Sequence, residues 1–378
     1  MNKRIFVKII GIDCRDLQVA SSGTKTYLAE IVKAIQEIKE SPNIRVVLIK
    51  PFLPVISGKN FFAKGFKHLQ FFCWKLISLP IIAMLKSCDV LICTDYFAPC
   101  ITPGFKNIVV FHDAFFWEYP KHYNALWLQL FKWFAIPAAK NAAKIIAPSH
   151  YAKKQILQYL QVPENHIKVV YEAPKAFSQT ISSQPNFKLP TVPYLLHVGV
   201  LSKHKNLPRL IEAFAEFLKT AHSPVHLLLV GGKSASVFDD DFNAIQAAIT
   251  KHQLTNSVTL TGYVNEFHLN DIYKQAVAYV FPSYNEGFGL PMLEAMSYHL
   301  PIAAANNTCL VEVGGAGAIY FSPFDTHQIT DSLHVLIYDT ITIKACLDAQ
   351  DAVLQQFSWK KAANEIKYIC LQSLYYPL

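Results

Sequence analysis

Charge is scarce in this chain. Asp, Glu, Lys and Arg make up 16% of its 378 residues, against 52% apolar side chains, a low share for a protein surface. Long charged blocks are missing too, and Leu, Ile, Val and Phe recur from end to end, which excludes intrinsic disorder. The eight cysteines form no Cys-x-x-Cys pair, and no histidine cluster at zinc spacing accompanies them. Reduced thiols in a cytoplasmic protein are therefore expected. A secretory signal is not expected either: the apolar stretch after Lys3-Arg4 is cut by Lys8 and Asp13, and reads as a first strand. The longest apolar stretch, Phe71 to Leu85, is interrupted by Lys75 and Pro80 and falls short of a transmembrane helix. No internal repeat at a short fixed period is visible.

The charge that is present is unevenly spread. Residues 1–185 hold 23 basic and 11 acidic side chains, +12, while residues 186–378 hold 12 and 16, −4, within a formal total of +8. A chain of this length is expected to form roughly two or three domains. The asymmetry points to two lobes with separate tasks.

Short β-branched runs alternate with helical patterns throughout. The first half predicts strands at Ile5–Ile10, Arg45–Ile49, Val90–Thr94, Ile108–Phe111, Lys144–Ala147 and Ile167–Val170. Helices are predicted between them over Thr24–Lys39, Tyr123–Ala143 and Tyr151–Leu160. A Ser-, Gln- and Pro-rich stretch, Ser178–Pro193, reads as a linker. A second series follows at Tyr194–Val198, His226–Val230, Val258–Thr261, Ala278–Phe281, Pro301–Ala304 and Ala318–Phe321. Strands joined by crossover helices form parallel sheets covered on both faces. The expected fold class is α/β, with two doubly wound Rossmann-like lobes facing a cleft. The expected boundaries are 1–180, 190–355 and a C-terminal helix, 356–378, that returns to the first lobe. Ligands of such sheets bind at the carboxyl ends of the strands.

The most informative segment runs from Ser283 to Glu294 (SYNEGFGLPMLE). A strand ends near Phe281, a loop with Gly287 and Gly289 follows, and Pro291 suits the first turn of a helix. Glu286 then lies on the loop and Glu294 near the helix start. The glycines let backbone approach a ligand, and the helix start offers free N–H groups to an anion. Carboxylates here are able to accept hydrogen bonds from sugar or ribose hydroxyls. Spacing alone leaves this reading open beside an ordinary strand-loop-helix turn.

The segment resembles the Glu-x7-Glu signature of retaining GT-B glycosyltransferases of the family 4, group 1 type, which include bacterial mannosyltransferases. His197-Val-Gly199 through Lys205-Asn206 resembles the family's glycine loop, lysine and following helix. Leu228–Gly232, Val258–Val264, Glu312–Ala318 and Phe357-Ser-Trp359 extend the similarity. In the first half, Gly11–Arg15, Ser22-Gly23-Thr24, Val109–Asp113 and Ala147-Pro-Ser149 also fit. The resemblance implies that Lys205 holds the donor diphosphate and that Glu286 contacts the donor sugar. It likewise implies that Phe288 and Gly289 offer N–H groups, that Glu294 binds the ribose, and that Gly23 approaches the phosphates. His112 stands where the family has a histidine near the reacting carbon. By the same resemblance Gly199, Asn206, Gly287 and Leu290 complete the donor site, with His112, Lys205 and Glu286 as the catalytic set.

Two positions depart from the pattern. Val200 stands where many members carry an arginine, leaving Lys203 and His204 as partial substitutes. Tyr298–Pro301 replaces a usual Cys-Gly-x-Pro turn. The run Asp239-Asp240-Asp241 reads as a solvated polar loop, and neither a metal nor another cofactor is expected.

Expected partners are a nucleotide sugar donor and a glycan or lipid-linked acceptor. No nucleic acid is expected. Residues 58–75 interleave aromatics with lysines, and two readings stand for them. They dock on an anionic membrane surface, making the protein peripheral on the inner face of the plasma membrane, or the aromatics pack inward beneath solvated lysines. The expected activity is retaining transfer of a hexose, with mannose favoured, to an acceptor hydroxyl in glycan, polysaccharide or glycolipid synthesis. A nucleotide-sugar epimerase of similar fold, or a non-catalytic nucleotide-sugar or membrane-binding protein, is the alternative.

Overall fold

The computed structural model describes residues 7–19, 23–37, 43–52, 61–175, 188–234 and 236–375, with the backbone alone for 61–64. Ser22, residues 58–60 and most of the expected linker (178–187) lie outside the described residues. The chain divides into two compact units. Unit 1 comprises residues 1–120, 124–172 and 358–378; unit 2 comprises 121–123 and 173–357.

Unit 1 is built on six parallel strands: β1 Lys8–Asp13, β2 Ile44–Ile49, β3 Val90–Cys93, β4 Lys106–Val110, β5 Lys144–Ala147 and β6 Ile167–Val169. Their spatial order is β2-β1-β3-β4-β5-β6, so the order reverses direction between β1 and β3. Of the predicted first strand, Ile5 and Phe6 lie outside the described residues, and β1 runs three residues beyond its predicted end, to Asp13. Its register pairs Lys8 with Ile44 and Asp13 with Ile49, which carries Asp13 to the carboxyl edge. Charged strand residues such as Lys8, Lys106 and Lys144 stand at strand starts, and the apolar positions that follow them are buried.

Helices cover both faces. Gly23–Glu37 buries Tyr27, Leu28, Ile31, Val32, Ala34 and Ile35 at helical spacing. The final helix, Trp359–Tyr375, lies on the same side and adds Ala362, Ala363, Ile366, Ile369 and Cys370 to that core. It is pinned by the Lys106 ammonium, which donates to the Ser373 carbonyl at 2.5 Å. The opposite face carries two helices interrupted by π-helical turns. One runs Phe61–Cys73, Trp74–Ser78 and Leu79–Leu85; the other runs Ala125–Leu130, Phe131–Ala135 and Ile136–Lys140. The single predicted helix 123–143 is therefore continuous but carries a widened turn. Ser149 caps the helix His150–Leu160 by accepting from the Ala152 N–H at 3.0 Å.

The solvated-lysine reading of residues 58–75 fails at Lys75. Its side chain is only 1% exposed, with Nζ 2.6 Å from Asp13 and 2.5 Å from Asp95. Phe71 and Trp74 are buried with it, and the Trp74 indole N–H donates to Asp13 at 3.0 Å. Burial alone would drive the lysine's proton off; Asp13 and Asp95 outweigh it and hold the ammonium well above its ordinary value. Burial in turn pushes Asp95 up to about 7 against the pull of Lys75.

Unit 2 repeats the plan with β7 Tyr194–Val198, β8 His226–Val230, β9 Val258–Leu260, β10 Ala278–Phe281, β11 Ile302–Ala305 and β12 Ile319–Phe321. The order β12-β11-β10-β7-β8-β9 is that of a dinucleotide-binding sheet, with its reversal between β7 and β10. The predicted strands are all present, displaced by a residue or less at several ends. The amphipathic helix Leu207–Thr220 packs Leu207, Leu210, Ile211, Phe214 and Phe217 onto the sheet.

Lys75→Met is expected to destabilise unit 1 by about 3–5 kcal/mol, because it leaves Asp13 and Asp95 buried without a cation. The loss, read from urea unfolding curves, should shrink as pH falls and Asp95 takes up a proton.

Candidate active site

The strand-order reversal of unit 2 brings two loops together, one after β7 and one after β10. Lys205 lies on the first and Glu286 on the second, and their side chains meet at 2.6 Å, each about one-tenth exposed. The Lys205 ammonium also lies 5.4 Å from the centre of the Phe281 ring. Burial pushes the Glu286 carboxyl up, but the Lys205 ammonium, His204 and the Ser283 hydroxyl outweigh it and hold it below its ordinary value. Glu286 is thus an anion at neutral pH, paired with the cation that the sequence assigned to a diphosphate.

The loop after β10 is fixed from several directions. The Tyr284 N–H donates to the His204 carbonyl at 2.9 Å, tying the two loops together. The Asn206 amide donates to the carbonyls of Pro282 (3.1 Å) and Pro323 (2.7 Å). Its role in this arrangement is to hold the loop. The buried Cys309 thiol lies 3.2 Å from the carbonyls of both Glu286 and Phe288, and the Asn307 amide donates to Tyr284 at 2.8 Å. Phe288 is buried edge-on against Phe357. Gly289 adopts φ +101°, and a Cβ there would come within 2.6 Å of Leu310. Leu290 opens the helix Leu290–Ser297 with Pro291 in its first turn, as the sequence implied.

The glycine loop is tighter still. Gly231 has φ +154°, and an added Cβ would lie 1.7 Å from the Gly199 carbonyl oxygen. A Cβ on Gly199 itself would press on the Lys205 stem and on His197 Nε2, both at 3.3 Å. His197 is fully buried and its Nδ1 lies 3.0 Å from the Val280 carbonyl, so that nitrogen carries the hydrogen. Burial and the nearby Lys205 charge lower its pKa to about 4. A neutral imidazole therefore stands beside Lys205. Lys203 donates to the Phe238 carbonyl at 2.6 Å.

Glu294 sits apart from that pair, 8% exposed, and accepts from the Tyr273 hydroxyl at 3.0 Å. Burial raises its pKa to about 7, with Tyr273 and the more distant Lys175 opposing the rise. Tyr273 stacks on Tyr298 with ring centres 5.2 Å apart. Tyr273, Cys309 and Asn307 were not singled out from the sequence. Their spacing carries no periodic signal, since each reaches the site from its own element.

His112 and Gly23 belong to unit 1. His112 follows β4, its Nε2 2.9 Å from the Thr94 carbonyl and its Nδ1 3.4 Å from Glu172. Burial lowers its pKa, but Glu172 and the Thr94 carbonyl outweigh it and raise the value overall. Both ring nitrogens face protein acceptors, so His112 offers a ligand no free ring nitrogen. Gly23 begins its helix with open space where a Cβ would stand. Among the described residues, no group of three or more His, Cys, Asp or Glu side chains is placed to hold a metal ion. In the Asp239–Asp241 run, Asp239 pairs with His122 at 3.0 Å and Asp240 accepts from the Ser234 N–H.

Comparison with known proteins bears on the fold and the family. The model of the family Glycosyl transferases group 1 matches residues 178–346, and that of Glycosyltransferase Family 4 matches residues 23–173. The chain is similar to O-antigen chain mannosyltransferase B of Escherichia coli, 23% identical over 69% of this chain and 68% of that protein. It is also similar to the O-antigen chain mannosyltransferase RfbU of Salmonella typhimurium, 26% identical over 62% of this chain and 61% of that one. Among solved structures, sucrose-phosphate synthase from Thermosynechococcus elongatus superposes with a TM-score of 0.70 at 16% identity. That match covers 97% of this chain and 98% of the other. Anabaena HepE, solved in complex with UDP and glucose, gives 0.67 at 17% identity, covering 96% and 98%.

Glu294→Gln should raise the melting temperature at pH 8 and leave it nearly unchanged at pH 4. A carboxyl whose folded pKa lies above its unfolded value costs no stability below the unfolded value. The cost grows as pH rises and is complete above about 7. Glutamine keeps an acceptor for Tyr273 and removes that cost, roughly 3 kcal/mol at its upper end. Calorimetric scans of both proteins at the two pH values check it.

Proposed function

Since the chain belongs to the GT-B glycosyltransferases of the family 4, group 1 type, we propose that it transfers a hexose from a nucleotide diphosphate sugar to an acceptor hydroxyl with retention of configuration. The observation that carries this reading is the buried pair of Lys205 and Glu286 at the strand-order reversal of unit 2. Mannose is the favoured sugar, supported by the O-antigen mannosyltransferases among the relatives. Family membership favours transfer over the epimerase and non-catalytic alternatives. The acceptor is a glycan or a lipid-linked glycan.

The residues divide the work by charge. Breaking the glycosidic bond leaves positive charge on the anomeric carbon and negative charge on the departing diphosphate. Lys205 stands ready to neutralise the diphosphate, and the N–H groups at the start of helix Leu290–Ser297 face the same anion. When the diphosphate claims Lys205, Glu286 loses its present partner and becomes free to accept hydrogen bonds from the sugar hydroxyls. The ion pair thus holds both groups in position until the donor exchanges with it. Neutral His197 keeps the positive charge concentrated on Lys205. Glu294, near its titration point at neutral pH, is suited to accept a ribose hydroxyl. His112, held by the Thr94 carbonyl and Glu172, which raise its pKa, would act on the acceptor side. No step in this scheme needs a metal, and no side chain is cast as a covalent nucleophile.

A binding screen against GDP-mannose, UDP-glucose and UDP-galactose, followed by product mass and anomeric analysis, tests the donor and the stereochemistry. Glu286→Ala should cut transfer on the order of 10²–10³-fold while circular dichroism shows the fold intact, although stranding the Lys205 charge lowers the melting temperature; undiminished turnover would remove the proposed site. Lys205→Ala should weaken binding of the free nucleoside diphosphate at least tenfold by calorimetry, and equal affinity would remove the phosphate role of Lys205.

A further inference from the structure

We propose that unit 1 carries a docking face for an anionic lipid bilayer, formed by the outer side of helix 65–85, on which the protein lies without crossing. The inward side of this helix is settled by the core: Trp74, Lys75, Leu79, Ile82 and Ala83 are buried. The outward side is apolar nearly from end to end. Phe66, Leu69, Ile77, Ile81, Met84 and Leu85 are all exposed, with Leu85 75% accessible. Cys73, also exposed, fills the gap between Leu69 and Ile77. Steps of three and four residues keep these side chains on one stripe, about 30 Å long at 1.5 Å per residue. An unpartnered stripe of that length is more than scattered surface apolarity accounts for.

The stripe does not stand alone. Trp127 packs against His68, Phe71 and Phe72 at ring distances of 5.3–6.0 Å, and Phe134 packs on Phe72 at 5.6 Å, joining the 125–140 helix to this one. That second helix exposes Leu126 and Trp133. Ile101, 76% exposed, follows Cys100, whose thiol lies 3.7 Å from the Phe134 carbonyl.

Charge complementarity selects the occupant. The sequence contains no Asp or Glu between Glu40 and Asp89, and none between Glu118 and Glu164. Both helices lie inside those acid-free stretches, and Lys67, Lys86, Lys132 and Lys140 are exposed on them. An apolar stripe among lysines with no acidic residue suits the boundary between anionic headgroups and acyl chains. A second copy of the chain would present the same unbalanced positive charge and repel the first. By length and composition Gly65–Leu85 is apolar enough to cross a membrane. Crossing would nevertheless strip Lys75 from Asp13 and Asp95 and expose the core face, so the helix lies flat. The expected docking stretch, 58–75, is thereby replaced: its residues Phe71 and Trp74 belong to the core, and the exposed face continues to Leu85.

The test uses the full chain and sedimentation with vesicles of phosphatidylcholine alone or with roughly one-third phosphatidylglycerol. Binding to the anionic vesicles only, weakened by salt, is expected. The triple variant Ile77→Glu, Ile81→Glu, Leu85→Glu should lower partitioning on the order of tenfold or more, with melting temperature and nucleoside diphosphate affinity unchanged. A second variant, Lys67→Ala, Lys86→Ala, Lys132→Ala, touches no core position and should also lower it, which keeps the test valid if the first variant unfolds. Absence of binding by the wild type, or undiminished binding by both variants, overturns the proposal. So does a concentration-dependent dimer that the triple variant abolishes while vesicle binding is absent. Nucleoside diphosphate affinity is read separately, so failure here leaves the donor site of unit 2 untouched.

Discussion

Two parallel sheets buried on both faces leave the carboxyl ends of their strands as the places where charge gathers. Most strand interior positions are apolar; Lys8, Lys106 and Lys144 stand where strands begin, and Asp13 stands where β1 ends. At the other end of each strand the chain must turn, and backbone N–H groups and side chains converge without a sheet partner. In each sheet the strand order reverses once, between β1 and β3 in unit 1 and between β7 and β10 in unit 2. At such a reversal the connections run to opposite faces of the sheet, and the loops that leave the two central strands are where such folds place their ligands. Two buried charge clusters, Lys75 with Asp13 and Asp95 and Lys205 with Glu286, stand at these two positions.

The clusters obey the same electrostatic rule and differ in access. Lys75 with Asp13 and Asp95 is sealed, at 1%, 3% and 12% exposure, and serves the fold. Lys205 with Glu286 is about one-tenth exposed on both sides, and in the proposed function the donor diphosphate exchanges with this pair. Burial raises the cost of every charge in these places, so each charge that persists has a partner, and each group without enough of one changes protonation. His197 loses its proton beside Lys205, and Glu294 is driven to about 7 beside Tyr273. A donor's charge would enter a site already balanced to receive it.

Legibility from the sequence varied by the range of the interaction. The strand runs were readable because a buried parallel strand is a short β-branched run, and their ends moved by only a residue or two except at β1. There the pairing with Ile44–Ile49 drew Gly11, Ile12 and Asp13 into the sheet. Glu286, Gly289 and Pro291 were readable as a strand-loop-helix turn, since local backbone demands dictate those residue types. Cys309, Asn307 and Tyr273 were not, because a hydrogen bond to a loop twenty residues distant leaves no local pattern. Lys75 was misread for the same reason: lysine among aromatics reads as solvated until its two aspartates, at 13 and 95, are brought to it.

The sequence by itself determined the alternation of strands and helices, the division into a basic first half and a mildly acidic second, and the local form of the loop bearing Glu286. These depend on propensities and spacings within a dozen residues. Only the tertiary structure decided which charges meet, which face of helix 65–85 remains uncovered, and which groups hold their protons. Those outcomes depend on burial and on partners remote in sequence, and the free energy of a charge follows its surroundings in space more than its neighbours along the chain.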